Sequence, residues 1–315
     1  MRRVRAVAAV VALLAPLASA CSSETHDGLV PDARPADVDG TQLWVQLPTG
    51  RVTVTVGAPV STIPAAEVGG GQAIDAGGGR EFLPVAVAYD DLVGVPHDAP
   101  QADTDPTELT RLDLHVGERT HRVPFAEGGR TSYLEVAKGA SDDLRLDVAF
   151  DGVAQSVDAA GQRVTGVAAG LYDASTRTAL ESCGEQVERT CRYNLWEYPY
   201  VEGLGWASQR QPDATWVVAT AQTWLRADQV RVDGEACRPA AMGGSIAVRV
   251  DAGTPTEELS VAPNRRAGGH GLGARAAFLL APADHHTLEV ASTWGCRLGD
   301  RSADREFVDR VSAPS

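Results

Sequence analysis

Apolar and polar residues alternate at period two along most of this chain, the pattern of β-strands that bury one face. Val52, Val54 and Val56 alternate with Arg51, Thr53 and Thr55, and Leu83, Val85, Val87 and Tyr89 form a second run. Leu112, Leu114 and Val116 alternate with Asp113 and His115; Gly117 then turns the chain towards a return strand around Arg122 to Phe125. Leu144, Leu146, Val148 and Phe150 alternate with Arg145, Asp147 and Ala149. The second half continues alike, through Val217, Ala219 and Ala221, then Val230 and Val232, Ile246 to Val250, and Leu288 with Val290. Clusters such as Gly69 to Gly71 and Gly77 to Gly79 separate the runs, and no long segment carries a 3.6-residue apolar stripe. The pattern predicts an all-β fold.

Short strands with frequent turns over two comparable stretches fit two tandem β-sandwich modules of immunoglobulin-like type. The expected organisation is a leader at 1–20, a tether at 21–40, a first module at 41–170, a linker at 171–190, a second module at 191–300 and a C-terminal tail at 301–315. A weak internal repeat links the halves. Tyr133-Leu134, then Leu144 to Phe150, then Gly152 is echoed by Phe278-Leu279, then Leu288 to Trp294, then Gly295. On this alignment 83–89 and 112–116 correspond to 217–223 and 230–232, with insertions at 92–109 and 238–270. Two-strand motifs look alike in unrelated β proteins, so coincidence stands beside duplication.

The first 21 residues carry an address. Arg2, Arg3 and Arg5 precede an apolar run from Ala6 to Leu17, too short to span a bilayer, and Leu17-Ala18-Ser19-Ala20 leads into Cys21. This order resembles the lipobox of bacterial lipoproteins, with Ala18 where Leu, Val or Ile is commoner. The resemblance implies that Cys21 receives a diacylglyceryl group and becomes the mature first residue; an ordinary secretory signal cleaved near Ala20 is the alternative. The following residues, to Gly40, are polar and acidic and read as a flexible tether. The whole pattern is similar to secreted actinobacterial lipoproteins with tandem immunoglobulin-like modules. That implies a lipid-anchored, extracytoplasmic protein on the outer face of the cell membrane, and transfers no catalytic residue.

Five cysteines are present, and assigning Cys21 to lipid leaves Cys183, Cys191, Cys237 and Cys296, an even set expected to form two disulfides outside the cytoplasm. Of three connectivities we favour Cys183–Cys191, closing a short polar loop, and Cys237–Cys296, each beyond a strand-like run. The spacing carries no Cys-x-x-Cys zinc signature.

Charge sharpens this picture. The 42 acidic and 28 basic residues give −14, and loss of Arg2, Arg3 and Arg5 with the leader takes it to −17. Such a body argues against nucleic-acid binding and is repelled by anionic headgroups, so lipid rather than surface charge would hold it at a membrane. Lys138 is the only lysine, a bias of GC-rich genomes.

Chemistry is sparse. No nucleophile elbow, metalloprotease helix or phosphate-binding glycine motif occurs, and no cofactor is implied. Gly268 to Gly273 reads as a flexible loop. Asp284-His285-His286, with His270 at a distance, is the best metal-like cluster, but we read it as turn residues and expect no metal. Asp103, Asp105 and Glu108 read as a solvated acidic loop, and Asp90-Asp91 and Asp142-Asp143 as turns. Tyr193, Trp196, Tyr198, Tyr200 and Trp206 crowd five aromatics into one stretch. They are the candidate ligand-binding residues, as a stacking platform, or else they pack a core and bridge the modules. The expected role is binding or scaffolding of a cell-envelope protein or glycan, without catalysis. A hydrolase-like enzyme with a site that follows no motif and a structural spacer are the alternatives.

Overall fold

A computed structural model describes residues 28–91, 93–95, 105–126, 128–172, 183, 189–259 and 269–314. Cys21 and Asp103 lie outside the described residues. Leaving aside the two-residue strands Thr62–Ile63 and Ile74–Asp75, the first half contains β1 (Gly40–Leu47), β2 (Gly50–Gly57), β3 (Arg80–Asp91), β4 (Thr110–Val116), β5 (Arg119–Val123), β6 (Arg130–Ala137), β7 (Leu144–Phe150), β8 (Val153–Asp158) and β9 (Arg163–Val164). They form two antiparallel sheets, ordered β1-β2-β3-β6 and β9-β8-β7-β4-β5. The period-two positions do what alternation dictates: Val52, Val54, Leu83 and Val85 of one sheet face Leu112, Leu114, Leu146 and Val148 of the other, all buried in one core. The β7–β8 turn is the two-residue Asp151-Gly152, both at positive φ (45° and 79°), which matches the twist of the flanking strands.

The second half contains β10 (Arg189–Tyr198), β11 (Thr215–Arg226), β12 (Met242–Val250), β13 (Glu257–Leu259), β14 (Gly269–Leu280), β15 (His285–Leu298) and β16 (Arg301–Pro314). Its sheets are β10-β11-β14-β13 and β12-β15-β16, the four-plus-three order of a constant-type immunoglobulin domain. The first half repeats six of these strands in the same chain order and pairing: β2-β3-β6 matches β10-β11-β14, and β4-β7-β8 matches β12-β15-β16. The echo of β6–β7 in β14–β15 is the repeat read from the sequence. The counterpart of β4, however, is β12, not 230–232; Arg231–Val232 instead forms a small hairpin with Glu235–Ala236 inside an insertion between β11 and β12.

Three expected boundaries move. Of the expected tail at 301–315, residues 301–314 are a strand: β16 pairs with β15 from Leu298↔Arg301 to His285↔Pro314 and completes the smaller sheet. Its outward charges mark it as an edge strand. The tether ends sooner than expected, because the Val30 N–H donates to Tyr133 O at 2.9 Å and Glu135 N–H to Gly28 O at 2.8 Å along the free edge of β6. Ala33, 2 % exposed, joins Ile63, Phe82 and Tyr133 in a satellite cluster there. The linker at 171–190 is likewise shorter, since Leu171 packs in the first core and Arg189 and Thr190 already belong to β10.

The sheet β10-β11-β14 is apolar on both sides. Tyr193, Leu195, Val217, Ala219 and Phe278 face β12 and β15. Trp196, Tyr198, Trp216, Val218 and Ala277 face the other way and belong to the same buried cluster as the core of the first sandwich. Strands covered on both faces lose their alternation and read as continuous apolar runs. The two sandwiches therefore share one wall.

Candidate functional site

The five clustered aromatics do not form an exposed platform. Tyr193, Trp196, Tyr198, Tyr200 and Trp206 are all buried, which overturns the ligand-binding reading. Tyr193 belongs to the second core and the other four plug the end of the first. The short hairpin of Tyr200–Val201 and Gly205–Trp206 brings Tyr200 and Trp206 edge-on to Phe150, with ring centres 5.3 and 6.5 Å away. The Trp206 indole N–H donates to Phe150 O at 3.1 Å, the Tyr198 hydroxyl to Pro48 O at 3.2 Å, and the Trp216 indole N–H to Gly205 O at 2.9 Å. These three polar tips find carbonyls while their rings stay dry, whereas the Trp196 indole nitrogen is buried without a hydrogen-bond partner.

Burial has an electrostatic signature. Desolvation, then a bond to the Glu67 carboxylate, pushes the Tyr133 phenol up to about 12. Burial also raises Tyr172, Tyr193, Tyr198 and Tyr200; for Tyr193 the Asp309 carboxylate adds to it. A raised folded value favours the neutral phenol, so this stabilisation is complete below the ordinary tyrosine value near 10 and is lost as pH climbs through 12. An ultraviolet titration at ~295 nm should therefore show five of the six tyrosines ionising late, in step with alkaline unfolding. Five phenols titrating near 10 in the folded protein would contradict the burial.

Both expected disulfides are present, Cys183–Cys191 and Cys237–Cys296, with Cα separations of 5.2 and 6.0 Å. Neither is the inter-sheet bridge of antibody domains; the second ties β15 to the segment before β12. His285 and His286 point to opposite faces of β15, His285 outward and His286 buried. The reading of both as exposed turn residues is wrong for His286. It shares its parity with Leu288 and Val290, so carrying the strand alternation two residues further back places it inside. Gly269 to Gly273 lie within β14 rather than in a flexible loop. His270 stands edge-on to Trp294 at 6.2 Å, away from the other two histidines. Asp105 caps the short helix Pro106–Leu109 through a 2.7 Å bond from Thr107 N–H; the Thr107 hydroxyl first, and this N–H second, lower its pKa. Among the described residues no group of His, Cys, Asp and Glu is arranged to hold a metal ion.

What the sequence did not reveal is an open cleft of about 1080 Å³ where the sandwiches meet. One wall is the 3-10 turn Gly166–Leu171 after β9; the other combines the end of β10, residues 213–215 and the β14–β15 connection. Glu197, Asp213 and Asp284 line it beside His285, Ser208 and Tyr198. Its floor is braced by His286, 3 % exposed, whose Nε2 contacts Glu197 Oε1 and whose Nδ1 contacts Asp251 Oδ2, both at 2.6 Å. The Thr287 N–H donates to the other Asp251 oxygen at 2.8 Å. The His286–Asp251 hydrogen bond ties β15 to the turn after β12, and the Nε2 contact draws in Glu197 of β10, although neither His286 Nε2 nor Glu197 Oε1 has a hydrogen-bond partner among the described residues. Carboxylates from three separate segments give the cleft an acidic lining suited to cationic or hydroxyl-rich groups. Comparison with protein-family models, curated proteins and solved structures finds no match for this chain.

Proposed function

We propose that this chain is an extracytoplasmic lipoprotein, anchored through Cys21 to the outer face of the membrane, that binds a cell-envelope protein or glycan in the cleft between its two sandwiches. The observation that carries the reading is the cleft, whose walls come from both halves and are held by one shared sheet. A site built across a rigid junction is pre-organised, which lowers the ordering cost of binding. The two disulfides favour an oxidising compartment. His286 supports binding rather than acid–base chemistry, because its ring is buried between the Glu197 and Asp251 carboxylates. Docking from residue 28 onward leaves only 21–27 between the anchor and the body, a reach of at most about 25 Å.

Hydrogen exchange of the mature protein with solubilised cell-wall glycan and with membrane-protein extract tests the binding claim. Protection is expected at 197–199, 213–215 and 282–285, and no protection there in either mixture would sink the cleft reading. Mass spectrometry of the N-terminus from the native host tests the anchor; an unmodified Cys21 would remove it.

A further inference from the structure

Several arginines in this acidic protein meet carboxylates. Arg80, Arg111, Arg122, Arg145, Arg226 and Arg310 each contact one at 3.0 Å or less. Arg51 and Arg163, like Arg119, Arg130 and Arg192, have no carboxylate within ion-pair distance among the described residues; the Nε of Arg51 and that of Arg163 are shielded from water without a hydrogen-bond partner, and Arg163 Nη1 donates to Gly161 O at 3.4 Å. Even Asp90, which faces Arg51 in the β2–β3 register, makes no ion pair with it. Both guanidiniums lie over one indole, with carbons 4.4 Å (Arg51) and 3.8 Å (Arg163) from the Trp44 ring centre.

The arrangement is fixed from below. Trp44 pairs with Thr53 and Gln46 with Arg51, so Trp44 and Arg51 are diagonal neighbours on the β1–β2 face turned away from Val45 and Val52. Arg163 arrives from β9, the edge of the opposite sheet. The two edges are laced by Tyr172. Its hydroxyl accepts from Gln46 N–H at 3.2 Å and donates to Gln155 Oε1 at 2.6 Å, while Gln155 Nε2 donates to Gln46 O at 2.9 Å. The Tyr172 ring lies 5.9 Å from Trp44 and 5.6 Å from the Arg163 guanidinium.

We infer that Trp44, Arg51 and Arg163 form a subsite for a phosphate group, distinct from the acidic junction cleft and independent of it. The two distances to one ring centre put the guanidinium carbons no more than about 8 Å apart. Two like charges held that close favour a shared counter-ion. A carboxylate offers two oxygens and one negative charge. A phosphate offers more acceptor oxygens and up to two charges, enough to take a planar fork from each arginine at once. The indole and Tyr172 keep both guanidiniums oriented before the anion arrives, so little side-chain entropy remains to be lost. The phosphate can come from a soluble phosphate ester or from a lipid headgroup, since the subsite reads only the oxyanion.

The test follows the arginine Nε–H signals of the mature protein by ¹⁵N NMR. One arm adds glycerol phosphate; a second adds phosphatidylglycerol vesicles, with buffer alone as reference. Saturable shifts at Arg51 and Arg163 with glycerol phosphate support the site and assign it to soluble esters. Shifts with vesicles alone support it and assign it to headgroups. Arg51→Gln and Arg163→Gln should each weaken the response at least about tenfold, and Arg51→Lys, which keeps the charge but not the fork, should restore only part of it. Unchanged circular dichroism of the variants confirms folding. No shift in either arm, or shifts that survive both Gln substitutions, overturns the inference. Cleft signals serve as an internal reference, so this failure is separable from failure of the cleft reading.

Discussion

Truncation after Asp300 should abolish the folded second sandwich, although it removes only a segment that composition assigns to a tail. β16 supplies the partner for β15 along the whole length of that strand. It contributes Val311, 4 % exposed, to the second core. It also brings Asp309 across the sandwich, where Arg189 Nη2 donates to one oxygen at 2.7 Å and the Tyr193 hydroxyl to the other at 2.6 Å. The Arg189 side chain is 1 % exposed, so loss of Asp309 strands a buried charge. Removing one partner of such a pair costs about 3–5 kcal/mol. Asp309→Ala alone should therefore lower the melting temperature by about 6–20 °C in a chain of this size. Loss of near-ultraviolet dichroism is expected for the truncation, and melting like the parent in either variant would show that β16 is dispensable.

Trp206→Ala carries the second large effect. Trp206 is 0 % exposed, lies edge-on between Phe150 and Tyr200, and bonds the carbonyl that ends β7. Truncating a buried tryptophan costs about 3–5 kcal/mol, and the unpaired Phe150 carbonyl adds about 1 kcal/mol more. Trp206→Phe keeps an aromatic plug but not the N–H, and should recover most of the loss. The ring sits in the core of the first half while its backbone belongs to the second, so the cost should fall on both. Differential calorimetry is expected to show one transition, shifted down as a unit; a second sandwich melting unchanged while the first weakens would contradict a shared core.

These two cases also show where reading the sequence stops. Val52 to Val56 and Leu144 to Phe150 were legible because each strand has one dry face and one wet one, which writes alternation directly into the chain. In β16 the inward parity holds Ala303, Arg305, Phe307, Asp309 and Val311, so a charge needed inside for pairing with Arg189 hides the strand. In β10 both faces are covered from Tyr193 onward, and alternation there gives way to an aromatic crowd that resembles a binding platform. His286 was hidden differently: its burial depends on Glu197 and Asp251, partners 89 and 35 residues away in the chain. Residues 28–34 were hidden because they dock mainly through backbone bonds, which leave little trace in side-chain pattern. The cleft is a property of how two sandwiches meet, and no local pattern encodes it.

The shared wall has a consequence for how the two halves can exist. A tandem immunoglobulin-type module ordinarily keeps a wetted outer face and survives when cut free. Here the face of β10 and β11 that would become solvent-facing presents Trp196, Tyr198, Trp216 and Val218. Produced alone, 189–314 would display a contiguous aromatic patch of the kind that drives self-association. The pair is obliged to be made and degraded together, so a protease cut between the halves ends as aggregation rather than as two working fragments.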